Sequence, residues 1–263
     1  MNVRPKKNLG QHFLTDDYIA SRIADTISAS ELPESAAQWG DLPVLEIGPG
    51  MGVLTRHLVE SGRSVTAVEL DSESVDYLAK NMPGLKVVQA DFLKLNLSEL
   101  MPGKFALIGN YPYNISSQIF FKVLDYLDDI PVVSGMLQKE VAERICSKPG
   151  SKAYGILSVL LQAWYDCEYL FTVEPQVFNP PPKVRSGVLR LTRNSRSDLG
   201  VDARKFKLVV KTAFGQRRKT LRNSLSPIMQ PDSKALQSKY MSLRPEQLSV
   251  EDFITLTTLI FPQ

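Results

Sequence analysis

The chain has 263 residues, of which 43% are hydrophobic and 22% are charged, and its formal net charge is +3. This length and composition predict a soluble globular protein with one large domain, or with a large and a small one. No apolar run approaches the ~20 residues that span a bilayer, and the start of the sequence lacks an apolar leader, so we expect a cytoplasmic protein without membrane association. Cys146 and Cys167 have no disulfide or zinc-ligand spacing, so we predict neither a disulfide framework nor a metal site.

The positive charge is concentrated in two places. Arg4, Lys6 and Lys7 precede the first acidic residue, which is Asp16, and residues 203–223 contain eight Lys or Arg and no Asp or Glu. Runs of one charge sign are often simply solvated, but they are also the residues that bind phosphates. Both stretches are therefore candidate nucleic-acid contacts.

The first part of the chain is predicted to be an arm followed by a helix. Residues 1–15 follow neither the helical nor the strand period. Thr15 or Asp16 can cap a helix that runs to about Ser28. Residues 31–41 then form a loop that leads into a strongly apolar strand.

From residue 43 to residue 138 the sequence alternates between strand and helix patterns. The predicted strands cover residues 43–47, 64–69, 86–90, 105–109 and 132–138. The predicted helices cover residues 53–61, 72–81 and 116–127. Such alternation is the signature of a parallel, doubly wound α/β sheet.

A glycine-rich turn follows the first of these strands. Gly48, Gly50 and Gly52 alternate directly before a helix, which lets backbone N–H groups approach a ligand closely. Glu69 ends the next strand. Its spacing in the sequence from the glycines is the one expected for a carboxylate that binds ribose hydroxyls. A dinucleotide fingerprint would place its third glycine where the chain has Val53. The pattern therefore favours S-adenosylmethionine over a nicotinamide cofactor and disfavours a dehydrogenase.

Four polar or glycine positions lie at the ends of successive strands: Gly48, Glu69, Asp91 and Asn110. Each of them alone is more often an ordinary turn residue. In open α/β sheets, however, ligands bind outside the carboxyl ends of the strands. We therefore expect the four positions to converge on one crevice.

The segment Asn-Tyr-Pro-Tyr-Asn that starts at Asn110 suits methyl transfer to an aromatic amine. Such an amine is a poor nucleophile because its lone pair is delocalised into the ring. If the Asn110 side-chain oxygen and the backbone carbonyl of Tyr111 or Pro112 accept its two N–H bonds, they favour the pyramidal amine of the transition state. Tyr113 can stack on the base. Phe178 could cover the other face, and the alternative for Phe178 is a core aromatic.

The rest of the chain predicts the end of the α/β domain and a separate helical domain. The predicted elements are helices at residues 139–147 and 154–164, a stiff proline-rich loop at 174–183 and a strand at 186–192. The polar, glycine-ended segment 194–200 is the best candidate linker, and the pattern beyond it is helical. We predict an α/β domain at residues 1–193 and a helical domain at residues 201–263.

Taken together, these motifs resemble those of the small-subunit ribosomal RNA adenine N6,N6-dimethyltransferases, the dimethyladenosine transferase family of class I methyltransferases. The resemblance covers nearly the whole chain and rests on residues 8–14, 46–55, 68–71, 89–92, 110–116, 138–144, 178–184 and 214–223. There are two departures from the family pattern. Tyr111 stands where the family usually has leucine, and Arg185 stands where an acidic residue is common. Tyr111 should supply the same backbone carbonyl, so we expect the reaction to be intact.

The resemblance implies a Rossmann-like domain with a seven-stranded sheet, a small C-terminal helical domain, and dimethylation of two adjacent adenosines near the 3′ end of small-subunit RNA. It implies S-adenosylmethionine as the cofactor, bound by His12, Leu14, Gly48, Glu69, Asp91 and Asn110. Asn110 would also lie near the transferred methyl group, and Tyr113 and Phe178 would sandwich the target base. The expected partner is an assembly intermediate of the small ribosomal subunit, and the expected state is a monomer.

The basic segment near the C-terminus is the candidate RNA-docking site. Arg217, Arg218, Lys219 and Arg222 lie in a run without acids. An enzyme that acts on folded RNA must hold phosphates beyond its crevice, and the planar guanidinium group suits them. We therefore predict that the helical domain docks the RNA while the α/β domain carries out the chemistry.

Two other functions remain open. The large-subunit adenine methyltransferases that confer antibiotic resistance share the crevice motifs, although residues 216–223 resemble the small-subunit branch better. Some relatives of this fold are nucleic-acid-binding transcription or assembly factors with little catalysis. The complete crevice argues against a purely non-catalytic protein, and a second role in ribosome assembly is compatible with the sequence.

Overall fold

A computed structural model describes residues 3–6 and 9–262. Lys7 and Asn8, which belong to the predicted basic arm and to the first family motif, lie outside the described residues. Within them, no helix combines the length and the apolar character needed to cross a membrane.

The first helix begins where the capping residue predicts. Helix α1 spans Asp17–Asp25, and the Asp16 carboxylate accepts a hydrogen bond from the backbone N–H of Ile19 at 3.0 Å. This bond satisfies one of the N–H groups that the first turn of a helix leaves unpaired. Ala20, Ile23 and Ala24 are buried on one face of α1, as its amphipathic period requires.

A seven-stranded sheet forms the centre of the α/β part and confirms the predicted fold class. Its strands are β2 (Val44–Ile47), β3 (Val65–Glu69), β4 (Lys86–Gln89), β5 (Ala106–Gly109), β6 (Val132–Gln138), β7 (Tyr165–Val173) and β9 (Ser186–Arg193). The spatial order is β4-β3-β2-β5-β6-β9-β7. Strands β2 to β6 run parallel to one another, whereas β9 is antiparallel to β6. The order reverses at β2, and this is the point where such sheets bind ligands.

The helices between these strands lie close to their predicted positions. They are α2 (Val53–Glu60), α3 (Ser72–Asn81), α4 (Leu97–Leu100), α5 (Ser116–Val123) and α6 (Lys139–Cys146). Helix α3 has the predicted bounds, whereas α5 ends four residues before the predicted residue 127. The short helix α4 was not predicted.

Two features of the sheet region were not predicted. Strand β7 is an edge strand, buried at Tyr165 and Val173 and mostly half-buried or exposed between them, so its sequence carries only a weak strand pattern. The second feature is a small sheet in which β1 (Phe13–Leu14) pairs antiparallel with β8 (Phe178–Asn179). This pair joins the N-terminal arm to the segment that the sequence predicted as a proline-rich loop.

The chain divides into two compact units, and their boundary differs from the predicted one. The first unit runs to Ala142 and includes Cys167–Arg193, whereas the second contains Glu143–Asp166 as well as the chain from Asn194 onward. The prediction placed the whole of residues 1–193 in the α/β domain. Residues 143–166 instead belong to the second unit because α7 (Ile156–Gln162) is apolar on nearly every side and packs against the later helices.

The second unit has its own aromatic core. It contains α7, α8 (Ala203–Gly215), α9 (Leu221–Ser224) and α10 (Val250–Ile260), with short 3₁₀ turns between the last two. The rings of Phe214 and Phe253 stack with centroids 5.9 Å apart, and Tyr154 contacts Phe214 edge-on at 6.3 Å. Such aromatic pairs contribute beyond their buried area.

Candidate active site

The glycine-rich turn has the backbone that its sequence predicts. Gly48, Gly50 and Gly52 have φ values of 66°, 57° and 78°, in the left-handed region that side chains disfavour. Gly52 is the residue before α2, so the turn leads directly into a helix N-terminus. The backbone can therefore approach a ligand at Gly48 and Gly50, both of which line the adjoining cavity.

Gly50 also makes room for the N-terminal arm. A Cβ atom at this position would lie 2.9 Å from Cδ1 of Phe13, a contact that real Cβ atoms do not make. We expect Gly50→Ala to destabilise the protein by more than the ~1–2 kcal/mol that a left-handed backbone alone costs an L-residue. Urea unfolding measures this difference. Gly62→Ala is the matched control because Gly62 has φ 82° and no atom within 4 Å of the added methyl group. Equal losses in the two variants would contradict the packing argument.

The Glu69 carboxylate is buried and held in a fixed position. Its Oε2 accepts a hydrogen bond from the N–H of Gly50 at 3.1 Å, and its Oε1 accepts bonds from Leu70 N–H at 2.8 Å and Asp71 N–H at 2.9 Å. Burial raises the pKa of Glu69, and these N–H groups oppose the rise by stabilising the charged form. The carboxylate therefore connects the glycine-rich turn to the end of β3 and faces the same cavity.

One cavity of about 190 Å³ brings together most of the predicted site residues. His12, Gly48, Glu69, Asp91, Asn110 and Tyr113 all line it. Asp91 caps the turn that carries the apolar residues Phe92 and Leu93, and its carboxylate accepts a bond from Leu93 N–H at 3.0 Å. The cavity thus has carboxylates and glycine backbone beside apolar walls, which suits a nucleoside.

The N-terminal arm forms one side of this cavity. Strand β1 pairs with β8, and the His12 ring Nδ1 lies 2.8 Å from the carbonyl oxygen of Pro180. Further toward the N-terminus, the Lys6 ammonium forms an ion pair with Asp71, two residues after Glu69. The arm is therefore attached to both sides of the crevice. Lys6 and Asp71 were not predicted as site residues, and Lys6 serves here as an internal ion-pair partner.

Asn110 is oriented by this arm. Its side-chain amide donates from Nδ2 to the backbone carbonyl oxygen of His12 at 3.0 Å. A carbonyl oxygen accepts hydrogen bonds, so the atom facing it must be the amide nitrogen and not the oxygen. Oδ1 makes no hydrogen bond within the described residues, and Asn110 lines the cavity, so this oxygen is not committed to another partner.

Tyr113 lines the cavity, and its hydroxyl group is held by a hydrogen bond. Its hydroxyl is 2.5 Å from Oγ of Ser186, the first residue of β9. Its ring centroid is 5.4 Å from that of His12, at an interplanar angle of 31°. The ring position is therefore set by the arm on one side and by β9 on the other.

Two predicted site residues are not placed at this cavity. Leu14 is buried and lines a neighbouring small cavity, which Gly48 and Asn110 also line. Phe178 is only 4% exposed and belongs to the hydrophobic core, which is the place that the alternative interpretation gave it. Phe178 is the backbone partner of Leu14 in the β1–β8 sheet, and both residues belong to the same hydrophobic core, so Phe178 helps to attach the arm.

Tyr111, the departure from the family pattern, borders the cavity but has its ring packed in the core. Its ring is buried, and its hydroxyl donates to the carbonyl oxygen of Ser134 at 2.6 Å. Space for the ring comes from two glycines of neighbouring strands, since a Cβ at Gly135 would lie 2.8 Å from the ring and one at Gly109 would lie 3.2 Å from it. Tyr111 is therefore a core substitution, and its backbone N–H keeps the turn attached to Met136 at 2.8 Å.

Glu46 is a buried acid beside the site that the sequence analysis did not single out. Its side chain is 1% exposed, and among the described residues its Oε2 has no hydrogen-bond partner. Burial raises the pKa of Glu46 from 4.5 to about 8, and the charge of Glu69 contributes to the rise. The sequence offered one signal for its burial, which is that Glu46 lies inside the apolar strand β2, one residue before the end of the strand.

This pKa predicts how stability depends on pH. Below about pH 4.5 the carboxyl is protonated in both the folded and the unfolded state. Between pH 4.5 and 8 only the unfolded state ionises, so the Glu46 contribution to the free energy of unfolding falls by about 1.4 kcal/mol per pH unit. We expect Glu46→Gln to remove this fall in urea unfolding series at pH 5 to 8. Glu60→Gln, at an exposed position, is the control and should keep the fall in the free energy of unfolding. If Glu46→Gln shows the same pH dependence as the parent protein, the raised pKa of Glu46 is contradicted.

The four predicted RNA-binding residues differ in how free their charges are. The Arg217 guanidinium donates to the carbonyl oxygen of Lys152 at 2.6 Å and lies 3.9 Å from Glu246 Oε2. Arg222 donates to the carbonyl oxygen of Leu236 at 2.9 Å. Both side chains thus hold segments of the second unit together. Arg218 and Lys219 are exposed, as Arg222 is, but their side chains make no hydrogen bond within the described residues.

The fold and the site together define a class I, S-adenosylmethionine-dependent methyltransferase. The sheet is mostly parallel. At the carboxyl ends of its strands, one crevice is lined by the glycine turn, by the Glu69 carboxylate and by Asn110. The chain belongs to the ribosomal RNA adenine dimethylase family, whose model matches residues 2–260.

Relatives and solved structures agree with this assignment. The chain is 62% identical over 259 residues to the ribosomal RNA small subunit methyltransferase A of Parabacteroides distasonis, covering 98% of this chain and 94% of that protein. It is 55% identical over 261 residues to the protein of the same name from Flavobacterium johnsoniae, covering 98% and 96%. A dimethyladenosine transferase from Plasmodium falciparum has the same fold, with a TM-score of 0.75, 23% identity and coverage of 93% and 96%. A 23S rRNA methyltransferase superposes with a TM-score of 0.65, 28% identity and coverage of 94% and 99%.

Proposed function

We propose that this protein transfers methyl groups from S-adenosylmethionine to N6 of two adjacent adenosines near the 3′ end of small-subunit ribosomal RNA. The observation that carries the proposal is that Asn110, whose Oδ1 has no hydrogen-bond partner among the described residues, lines the same cavity as Glu69. We also propose that the protein acts as a monomer. We further propose a cytoplasmic location and an assembly intermediate of the small subunit as the partner.

The cavity fits the cofactor that the family uses. Gly48 and Gly50 permit a close backbone approach, Glu69 offers a buried carboxylate for ribose hydroxyls, and Asp91 lies beside the apolar Phe92 for an adenine. We assign further cofactor contacts to His12, Leu14 and Asn110, with Leu14 acting through its packing beneath the glycine turn. When bound, S-adenosylmethionine supplies an electrophilic methyl group on a sulfonium.

The chain's own contribution to the reaction is to prepare the amine. We propose that Asn110 Oδ1 and the carbonyl oxygen of Tyr111 or Pro112 accept the two N–H bonds of the target amine. Two acceptors so placed stabilise the pyramidal nitrogen, whose lone pair can attack, over the planar one. Because the nitrogen becomes positively charged as the new bond forms, its proton becomes acidic and can leave to water without a strong base.

Tyr113 is proposed to stack on the target base, since its ring already lies at the cavity and is held by Ser186. Stacking would place the amine against Asn110 and compensate the few kcal/mol needed to unstack a nucleotide. A place for Phe178 on the second face of the base requires the β1–β8 pair to shift, because its ring is buried. We therefore propose that role for the RNA-bound state.

The direct test is to incubate the full-length protein with labelled S-adenosylmethionine and small ribosomal subunits from a strain that lacks this modification. We expect label in dimethyladenosine at two adjacent positions near the 3′ end of the small-subunit RNA. Large subunits from the same strain form the comparison arm. Label in the large-subunit RNA alone would favour the large-subunit reaction, and no label in either RNA would favour an assembly factor with little catalysis.

We propose that the basic segment of the helical domain, formed by Arg217, Arg218, Lys219 and Arg222, docks the RNA. Structured RNA is bound largely through its shape, phosphates and 2′-hydroxyls, so this segment need not recognise sequence. Arg218 and Lys219 are best placed to contact phosphates, because their exposed side chains make no hydrogen bond within the described residues. Arg217 and Arg222 are proposed to support the segment and to contribute charge from their present positions.

We expect Arg218→Ala with Lys219→Ala to weaken binding to small subunits and to flatten its salt dependence. Each lost phosphate contact removes roughly 0.7 to 0.9 from the slope of log affinity against log salt. Filter binding at several salt concentrations measures both quantities. The affinity for S-adenosylmethionine should not change. An unchanged salt slope would mean that the pair is a solvated surface.

A further inference from the structure

A second basic surface lies beside the ring of Tyr113. The Tyr113 hydroxyl reaches Ser186 Oγ at 2.5 Å, so the outer edge of the ring lies against the start of β9. Ser186 pairs with Gln138 at the end of β6, and the backbone N–H of Lys139 donates to the carbonyl oxygen of Arg185 at 3.0 Å. The chain that enters β9 is thereby fixed next to the proposed base-stacking site.

Two cationic side chains of this entering chain, Lys183 and Arg185, are exposed, and we call them the basic rim. The Arg185 side chain is 55% exposed, and its ion pair with Glu174 is long, at 3.9 Å, with the glutamate equally exposed. Exposed ion pairs of this kind contribute little free energy. The Arg185 guanidinium can therefore exchange Glu174 for a stronger anionic partner at small cost.

We propose that the basic rim binds the backbone phosphates of the target nucleotide, an inference that rests on the proposed function. If a base stacks on Tyr113, its sugar and phosphates remain at the mouth of the cavity. Only the ribose then separates the phosphates from the stacked base. The guanidinium fork matches a phosphate through two parallel hydrogen bonds, and the lysine adds a mobile point charge. Contacts to phosphates set position and register without reading sequence.

This role differs from that of the basic segment in the helical domain. The basic segment is proposed to hold the subunit as a whole, whereas the basic rim aligns one nucleotide at the cavity. The basic rim belongs to the α/β unit, as Tyr113 and Asn110 do. Its loss should therefore weaken use of the RNA substrate and leave cofactor binding intact.

The test uses the full-length protein with Arg185→Gln, Lys183→Gln and the double variant. Methyl transfer from labelled S-adenosylmethionine to unmodified small subunits is followed at several subunit and salt concentrations. We expect KM for the subunit to rise about tenfold for Arg185→Gln, as for a lost hydrogen bond to a charged group, with kcat and cofactor affinity unchanged. The salt slope should fall by roughly 0.7 to 0.9 for each cation removed.

Lys80→Gln is the matched control. Lys80 is an exposed cation in the last turn of α3 and does not line the cavity. Its KM and salt slope should equal those of the parent. If Arg185→Gln has the same KM and salt slope as Lys80→Gln while the parent methylates small subunits, the role of the basic rim is refuted and the proposed function stands. If the parent transfers no label to small subunits, both are overturned.

Discussion

Replacing Asn110 with Ala should abolish most methyl transfer, with kcat falling on the order of 10²- to 10³-fold, as when an enzyme loses one group that stabilises its transition state. In this structure the amide is oriented by the carbonyl oxygen of His12, which leaves Oδ1 for the target amine. Because this contact strengthens as the nitrogen becomes pyramidal, its loss should lower kcat more than it weakens cofactor binding. Single-turnover methylation of small subunits measures the rate, and calorimetry measures the cofactor affinity.

Two further variants make this experiment specific. Asn110→Asp keeps an acceptor oxygen but has no N–H to donate to His12, so it should also lose most turnover if the orientation matters. Asn81→Ala removes an exposed asparagine whose amide donates to Tyr77 at the end of α3, and it should leave the rate unchanged. Near-native turnover in Asn110→Ala would remove this residue from the mechanism.

The second large effect is expected for Glu69→Ala, which should weaken S-adenosylmethionine binding about 10- to 150-fold. This range corresponds to the ~1.5 to 3 kcal/mol of one hydrogen bond to a charged group. The ribose would lose its carboxylate partner, and the N–H groups of Gly50, Leu70 and Asp71 would lose the acceptor that fixes the glycine turn. Calorimetry with the cofactor measures the change.

The pH dependence of binding provides an independent check on Glu69. Burial raises its pKa, so the carboxylate becomes protonated at a higher pH than an ordinary glutamate. Since the charged form is the better acceptor for ribose hydroxyls, affinity should fall as the pH is lowered through this raised pKa. Glu60→Ala, at an exposed position of α2, is the control and should bind normally. Unchanged affinity in Glu69→Ala would refute the ribose assignment.

The crevice itself could be predicted from the sequence. Gly48, Glu69, Asp91 and Asn110 each follow a short apolar run, and runs that alternate with helical segments form parallel strands whose carboxyl ends meet at one edge. The structure brings these four residues to one cavity, as predicted. The capping of α1 by Asp16 was equally predictable, because both features depend on residues close together in the chain.

Other parts of the site depend on contacts between distant segments. The pairing of Phe13 and Leu14 with residues 178–179 joins parts of the chain more than 160 residues apart, and neither segment has a strand pattern long enough to show it. This pairing gives Phe178 a buried position and sets the Asn110 amide through His12. Sequence could name these residues as candidates but could not say which ring would be accessible.

The charged residues show the same division. A run of Arg and Lys in the sequence identifies positive charge, but whether a guanidinium is free depends on which carbonyl groups the fold places beside it. Arg217 and Arg222 donate to the backbone oxygens of Lys152 and Leu236, whereas the exposed Arg218 side chain has no such acceptor among the described residues. Local sequence thus determined the strands, the glycine turn and the chemistry available at their ends. Tertiary packing decided which side chains are accessible, because burial and long-range hydrogen bonds are set only when distant segments meet.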